Sequence, residues 1–178
     1  MTKEMNNQVK TIIYGSSGKT KIDSLNLAAS CVKRFCHTAQ ICITEEIIIS
    51  KDTYGKPHCN VDELFLSISY CESCLVCAVS TEPIGIDIEK RTSRLHLPEW
   101  GASTHFFDPV LWTKIESCSK ILGKGLCTSL DEILEYVNYG RFVFRECFVD
   151  QEHVCTICQC SNLEDGLSPD IQQVVWLD

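Results

Sequence analysis

From Ile84 to Lys90 the sequence reads Ile-Gly-Ile-Asp-Ile-Glu-Lys, and the alternation over Ile84–Ile88 reads as an extended strand. Successive side chains on a strand leave opposite faces. Ile84, Ile86 and Ile88 therefore share one face, and Asp87 and Glu89 share the other. The isoleucine face calls for a core. The acid face calls either for solvent, as at an exposed strand end, or for a cation, because two neighbouring carboxylates repel each other. If a cation is held there, oxygen-only ligands suit Mg²⁺, with Mn²⁺ as a substitute, better than zinc.

A second constraint follows downstream. Asp108 and Pro109 predict a helix cap and first turn, the helix runs to about Leu122, and Gly123-Lys124-Gly125 ends it. On this helix Trp112, Glu116 and Lys120 recur every fourth residue and lie on one face. An aromatic, a carboxylate and an ammonium thus stand in a row. Taken alone, an ordinary salt bridge beside a half-buried tryptophan explains that row.

The rest of the chain predicts mixed α and β structure. Strands are expected at Val9–Tyr14, Leu64–Ser69, Cys74–Ser80, Arg141–Val149 and His153–Gln159, the last two as an antiparallel pair, with a short strand at Gln172–Leu177. Ile22–Phe35 carries a helical apolar stripe, Ile41–Ser50 is rich in β-formers, and Tyr54-Gly55-Lys56-Pro57 is a turn. Gly15–Lys21 and Arg91–Ser103 read as loops, and Leu130–Tyr136 fits helix or strand. The run Leu75-Val76-Cys77-Ala78-Val79 echoes His153-Val154-Cys155-Thr156-Ile157, which hints at two similar halves.

Composition narrows the function. The 178 residues suffice for one ordinary domain or two small halves sharing a core. A net charge of −8 argues against nucleic-acid binding. Met1–Lys10 lacks the apolar core of a secretory signal, and no apolar run approaches a membrane span, so a cytoplasmic protein without membrane contact is expected. The thirteen cysteines include two clusters with zinc-like spacing, Cys71, Cys74 and Cys77, and Cys155, Cys158 and Cys160. Both fall in predicted strands, where residues three apart point to opposite faces, so they read as small apolar residues instead. Gly15-Ser16-Ser17-Gly18-Lys19-Thr20 superficially suggests a phosphate-binding loop. Its glycines are separated by two residues, where a phosphate-wrapping loop needs four.

Four blocks in order carry a family resemblance: Tyr54-Gly55-Lys56-Pro57; Leu66-Ser67-Ile68-Ser69-Tyr70-Cys71; Pro83–Lys90; and Trp112–Lys120 with Gly123-Lys124-Gly125-Leu126. Together they resemble the signatures of the 4′-phosphopantetheinyl transferase superfamily, nearest the monomeric surfactin-type branch in a shortened form. The resemblance implies an α+β pseudo-dimer of two similar halves, each a small antiparallel sheet packed with a long helix. The expected halves are residues 1–83 and 84–178, with the site between them. It implies transfer of 4′-phosphopantetheine from coenzyme A to a serine of an acyl or peptidyl carrier protein, releasing 3′,5′-ADP. Asp87, Glu89 and Glu116 would hold Mg²⁺. Glu116 and Lys120 would be catalytic, the first helping to deprotonate the serine, the second stabilising phosphate charge. Lys33, Lys56, Ser69, Tyr70 and Lys120 would contact coenzyme A, with Lys19 and Lys21 adding to the basic patch.

The chain departs from the family pattern in three places. Tyr70 and Ser67 stand where histidine and asparagine are usual, Ile115 stands where a lysine precedes the glutamate, and the stretch from Lys90 to Leu111 is short. Losing the cations at Tyr70 and Ile115 favours an alternative, a non-catalytic binding module on the transferase fold. The complete set of Asp87, Glu89 and Glu116 opposes it.

Overall fold

The computed structural model describes residues 11–17, 24–72, 74–93, 95–96, 106–123, 129–139, 141–160 and 175–177. The expectations for Lys19, Lys21 and residues 124–126 lie outside these residues. In chain order the first elements are β1 (Thr11–Ser17), α1 (Ser24–Thr38), β2 (Ile49–Lys51), β3 (Pro57–Cys59), β4 (Phe65–Cys71), β5 (Cys74–Ser80) and β6 (Ile84–Lys90). There follow β7 (Leu95–His96), β8 (Phe106–Phe107), α2 (Pro109–Leu122), α3 (Leu130–Asn138), β9 (Phe142–Cys147), β10 (His153–Cys160) and β11 (Val175–Trp176).

Two sheets form the centre, one in the order β11-β1-β5-β4 and one in the order β6-β10-β9. All pairings within them are antiparallel except β11, which lies parallel to β1. The last of the described strands is thus built into the same sheet as the first. Alternation along the strands sorts side chains into three apolar layers. Ile12, Tyr14, Leu66, Cys77 and Val79 pack against Leu27, Cys31, Val32 and Phe35 of α1. On the reverse of that sheet, Ile13, Cys74, Val76 and Ala78 meet Ile84, Ile86, Ile88, Cys155 and Ile157 of the second sheet. Beyond it, Cys158, Phe142 and Phe144 pack with Trp112, Ile115, Cys118 and Ile121 of α2 and Ile133 of α3. The order of layers is helix, sheet, sheet, helices.

The isoleucine face of β6 lies in the middle layer, as its alternation requires. The cysteines alternate in the same way: Cys74 faces the middle layer and Cys77 the α1 layer, while Cys155 faces the middle layer and Cys158 the α2 layer. The helix α2 begins and ends where its punctuation predicts, with the Asp108 carboxylate accepting from the Val110 amide and Gly123 closing it in a left-handed conformation.

Three segments differ from expectation, and one open reading, Leu130–Tyr136, is settled as helix. Gly15, Ser16 and Ser17 belong to β1 and not to a loop, since the full edge of β5 is available to pair with them. This removes half of the phosphate-loop lookalike. Within Ile41–Ser50 only Ile49 and Ser50 are strand, in a two-stranded ribbon with β3. The first helix continues to Thr38, and Leu130–Asn138 is helix. The α3 start is set by Ser129, whose hydroxyl accepts from the Glu132 amide. Among the described residues, no helix is long and apolar enough to cross a membrane.

Candidate active site

The two sheets meet edge to edge along β4 and β6, which share no backbone ladder. Serine hydroxyls close the seam instead. Leu66 and Ile68 face α1, so the alternate residues Ser67 and Ser69 turn towards β6. Ser67 Oγ accepts from the Ile86 amide at 3.0 Å, and Ser69 Oγ accepts from the Ile88 amide at 3.4 Å. Both amides are edge donors of β6 that would otherwise lack a partner.

Asp87 lies between these two contacts and is only 4% exposed. It is not a solvated strand end. The Ser69 hydroxyl donates to Asp87 Oδ1 at 2.7 Å, and the Lys120 ammonium donates to the same oxygen at 2.7 Å and to the Ile86 carbonyl at 3.0 Å. Asp87 Oδ2 is buried and has no hydrogen-bond partner. A buried, unmatched carboxylate oxygen costs roughly 1–3 kcal/mol or more.

Gly85 explains how α2 comes so close. A β-carbon there would stand 1.9 Å from the Ser117 carbonyl oxygen and 3.1 Å from the Ile121 amide nitrogen. The helix backbone therefore rests directly on the β6 backbone, and the Trp112–Glu116–Lys120 row is laid along the acid face. Lys120 meets Asp87, and the Trp112 indole donates to Glu89. Cys71 Sγ lies 3.9 Å from Glu89 Oε2. The ordinary Glu116–Lys120 bridge allowed by sequence is replaced by a Lys120–Asp87 bridge between helix and strand.

Glu116 sits among these charges. Burial pushes its carboxyl above the usual glutamate range, the Asp87 and Glu89 charges add to this, and Lys120 opposes it. Glu89 is raised for the same reasons, burial first and Asp87 second. The charge of Asp87 thus adds to burial in raising the proton affinity of both Glu89 and Glu116. That donor set, with one free buried oxygen, fits a hard divalent cation. Among the described residues, no three acidic, histidine or cysteine side chains already converge as a closed ligand cluster. Lys120 occupies the charge of Asp87 in this arrangement.

Beside the acids lies a cavity of about 220 Å³, lined by Tyr54, Lys56, Pro57, Ser67, Glu116, Ser119, Lys120 and Gly123 among others. Lys56 Nζ donates to the Ile121 carbonyl at 3.1 Å, where the negative end of α2 favours a cation. Burial lowers its proton affinity. Glu116, Lys56 and Lys120 are therefore brought to one cavity, with Asp87 bonded to Lys120 at its side. Ser69 binds Asp87. Tyr70 is 78% exposed on the α1 side of β4 and does not line this cavity. Lys33 lines a different one, of about 470 Å³, with Tyr14, Arg34 and His37. Ile115 is fully buried against α3. Sequence reasoning did not single out Ser119, and noticed Ser67 only as a departure. The two-residue step from Ser67 to Ser69 was the available signal that both face β6.

No protein-family profile matches the chain. It is similar to the 4′-phosphopantetheinyl transferase gsp of Aneurinibacillus migulanus, 37% identical over 100 residues that cover 46% of this chain and 40% of that protein. The chain thus matches less than half the length of its curated relative. Over the portion the two share, this chain is a relative of a phosphopantetheinyl transferase.

Proposed function

We propose that this protein transfers 4′-phosphopantetheine from coenzyme A to a serine of an acyl or peptidyl carrier protein, acting as a monomer built from two similar α+β halves. The observation that carries the proposal is Asp87: a buried carboxylate with one free oxygen, beside Glu89 and Glu116, and bonded to Lys120 of the cavity that Lys56 and Glu116 also line. The partial similarity to a transferase supports the same reading.

Asp87, Glu89 and Glu116 would hold Mg²⁺, which when bound supplies charge neutralisation for the pyrophosphate of coenzyme A. The chain's own residues do the rest. Lys56 and Lys120, both lining the cavity, offset negative charge as the bond from phosphorus to the departing 3′,5′-ADP lengthens. The serine oxygen of the carrier forms the new bond to phosphorus, and its proton passes to the Glu116 carboxylate. The raised proton affinity of Glu116 suits it to that task. Alignment and charge neutralisation supply the catalysis, with no covalent intermediate on the protein.

Incubation with fluorescent coenzyme A and a panel of carrier proteins tests the proposal. Mg²⁺-dependent labelling of a carrier serine is the expected result. Failure to label any carrier, with coenzyme A still bound, would favour the non-catalytic module suggested by Tyr70 and Ile115.

A further inference from the structure

Ser69 has a single proton, and it is committed to Asp87 Oδ1 at 2.7 Å. One of its lone pairs receives the Ile88 amide. It is 6% exposed and does not line the cavity of Lys56 and Glu116. Its second lone pair remains. Lys120 binds the same oxygen, so both donors converge on Oδ1 while Oδ2 is left with none. The two donors differ in kind. Lys120 reaches Asp87 along a flexible four-carbon stem, whereas Ser69 is fixed on β4 and tied to β6 by its second bond.

We infer that Ser69 is a positioning residue: its hydroxyl turns the Asp87 carboxylate so that Oδ2 stays free for a divalent cation. This deepens the transferase reading and rests on it. Ser69 fixes the ligand orientation whether or not Lys120 remains on Asp87, which frees the lysine to answer charge in the cavity. Ser67, its neighbour on the same face, makes the equivalent bond to β6 with no bond to Asp87, so it separates closing the seam from aiming the carboxylate.

The test is Mn²⁺ titration followed by electron paramagnetic resonance, in the absence of coenzyme A. Ser69→Ala should weaken Mn²⁺ by about ten- to a hundred-fold, the usual effect of losing a hydrogen bond to a metal ligand. Ser69→Thr, which keeps the hydroxyl, should restore most of the affinity. Ser67→Ala should leave Mn²⁺ binding near wild type. If Ser69→Ala does not fold, Ser69→Cys carries the test, its weak donor giving an intermediate loss. Unchanged Mn²⁺ affinity in the Ser69 variant, or an equal loss in Ser67→Ala, overturns the inference while leaving the transferase reading intact. A wild-type protein that binds no Mn²⁺ overturns the metal assignment itself.

Discussion

Replacing Gly85 by alanine tests whether α2 rests backbone to backbone on β6. The new β-carbon would stand 1.9 Å from the Ser117 carbonyl oxygen and 2.9 Å from its carbon. Carbon and oxygen tolerate an approach of about 3.3 Å, so one of the two backbones must retreat by about 1.4 Å. Neither can do so by rotating a side chain. Overpacking of this kind costs about 1–3 kcal/mol, and two rigid backbones place Gly85→Ala at the upper end, about 3 kcal/mol. Alanine also reduces the freedom of the unfolded chain, which returns about 0.4–1 kcal/mol. The net loss is then about 2 kcal/mol or more. At about 2–4 °C per kcal/mol for a chain of this size, the melt should fall by about 4 to 10 °C. Urea unfolding should report the same loss through a lower midpoint at unchanged slope. The retreat also lengthens the Lys120–Asp87 bond, so Mn²⁺ affinity should change with stability. A variant within about 0.5 kcal/mol of wild type, the range of innocuous surface changes, would refute the close contact.

The other predictions concern the acids and the donor. Glu116→Gln should abolish transfer while leaving the protein at least as stable at neutral pH. The folded carboxyl takes up protons more readily than the unfolded one, so the native charge is destabilising above the ordinary range near about pH 4.3 and costless below it. The stability gain should therefore vanish as pH falls through that range, and urea midpoints across pH check the sign. Asp87→Asn should also abolish transfer and lower Mn²⁺ affinity; wild-type turnover in either variant sinks the mechanism. The purified protein should hold no stoichiometric zinc by elemental analysis, because each cysteine cluster is divided between opposite faces of a sheet. Tyr70 carries no cation, so transfer rates should differ by about ten-fold or less between coenzyme A and its analogue lacking the 3′-phosphate, and Tyr70→His should widen the gap, as expected from a charge-assisted hydrogen bond. Strong discrimination already in the wild type would place that cation elsewhere.

Periodicity made the site's two supports legible. Alternation gave β6 its buried isoleucines and its acid face, and Asp108, Pro109 and Gly123 bracketed α2. The partners across the site were not legible, because they depend on contacts between distant segments. Lys120 reads equally well as a partner for Glu116 four residues away, and only the approach of α2 to Gly85 gives it to Asp87. The bonds of Ser69 to Asp87 and to the Ile88 amide were not legible either, because nothing local reveals that β4 lies beside β6. Lys33, placed with the phosphate contacts by resemblance, faces a separate cavity across α1 and β1. Gly15, Ser16 and Ser17 illustrate the converse: their weak strand propensity is overridden by pairing with Val76, Leu75 and Cys74.

The serine seam has a consequence for solubility. A strand at the border of a sheet offers bare amides on which another chain can grow, and an isoleucine-rich segment such as Ile84–Ile88 adds an apolar face to that border. Ser67 and Ser69 occupy the two amides that would begin such growth, those of Ile86 and Ile88. Each hydroxyl satisfies one donor without extending the ladder, so the border is closed but not continued. Any opening of the seam exposes both amides together, alongside the isoleucines whose side chains hold the middle layer. A transient separation of the two sheets is then also the step at which this protein becomes able to polymerise.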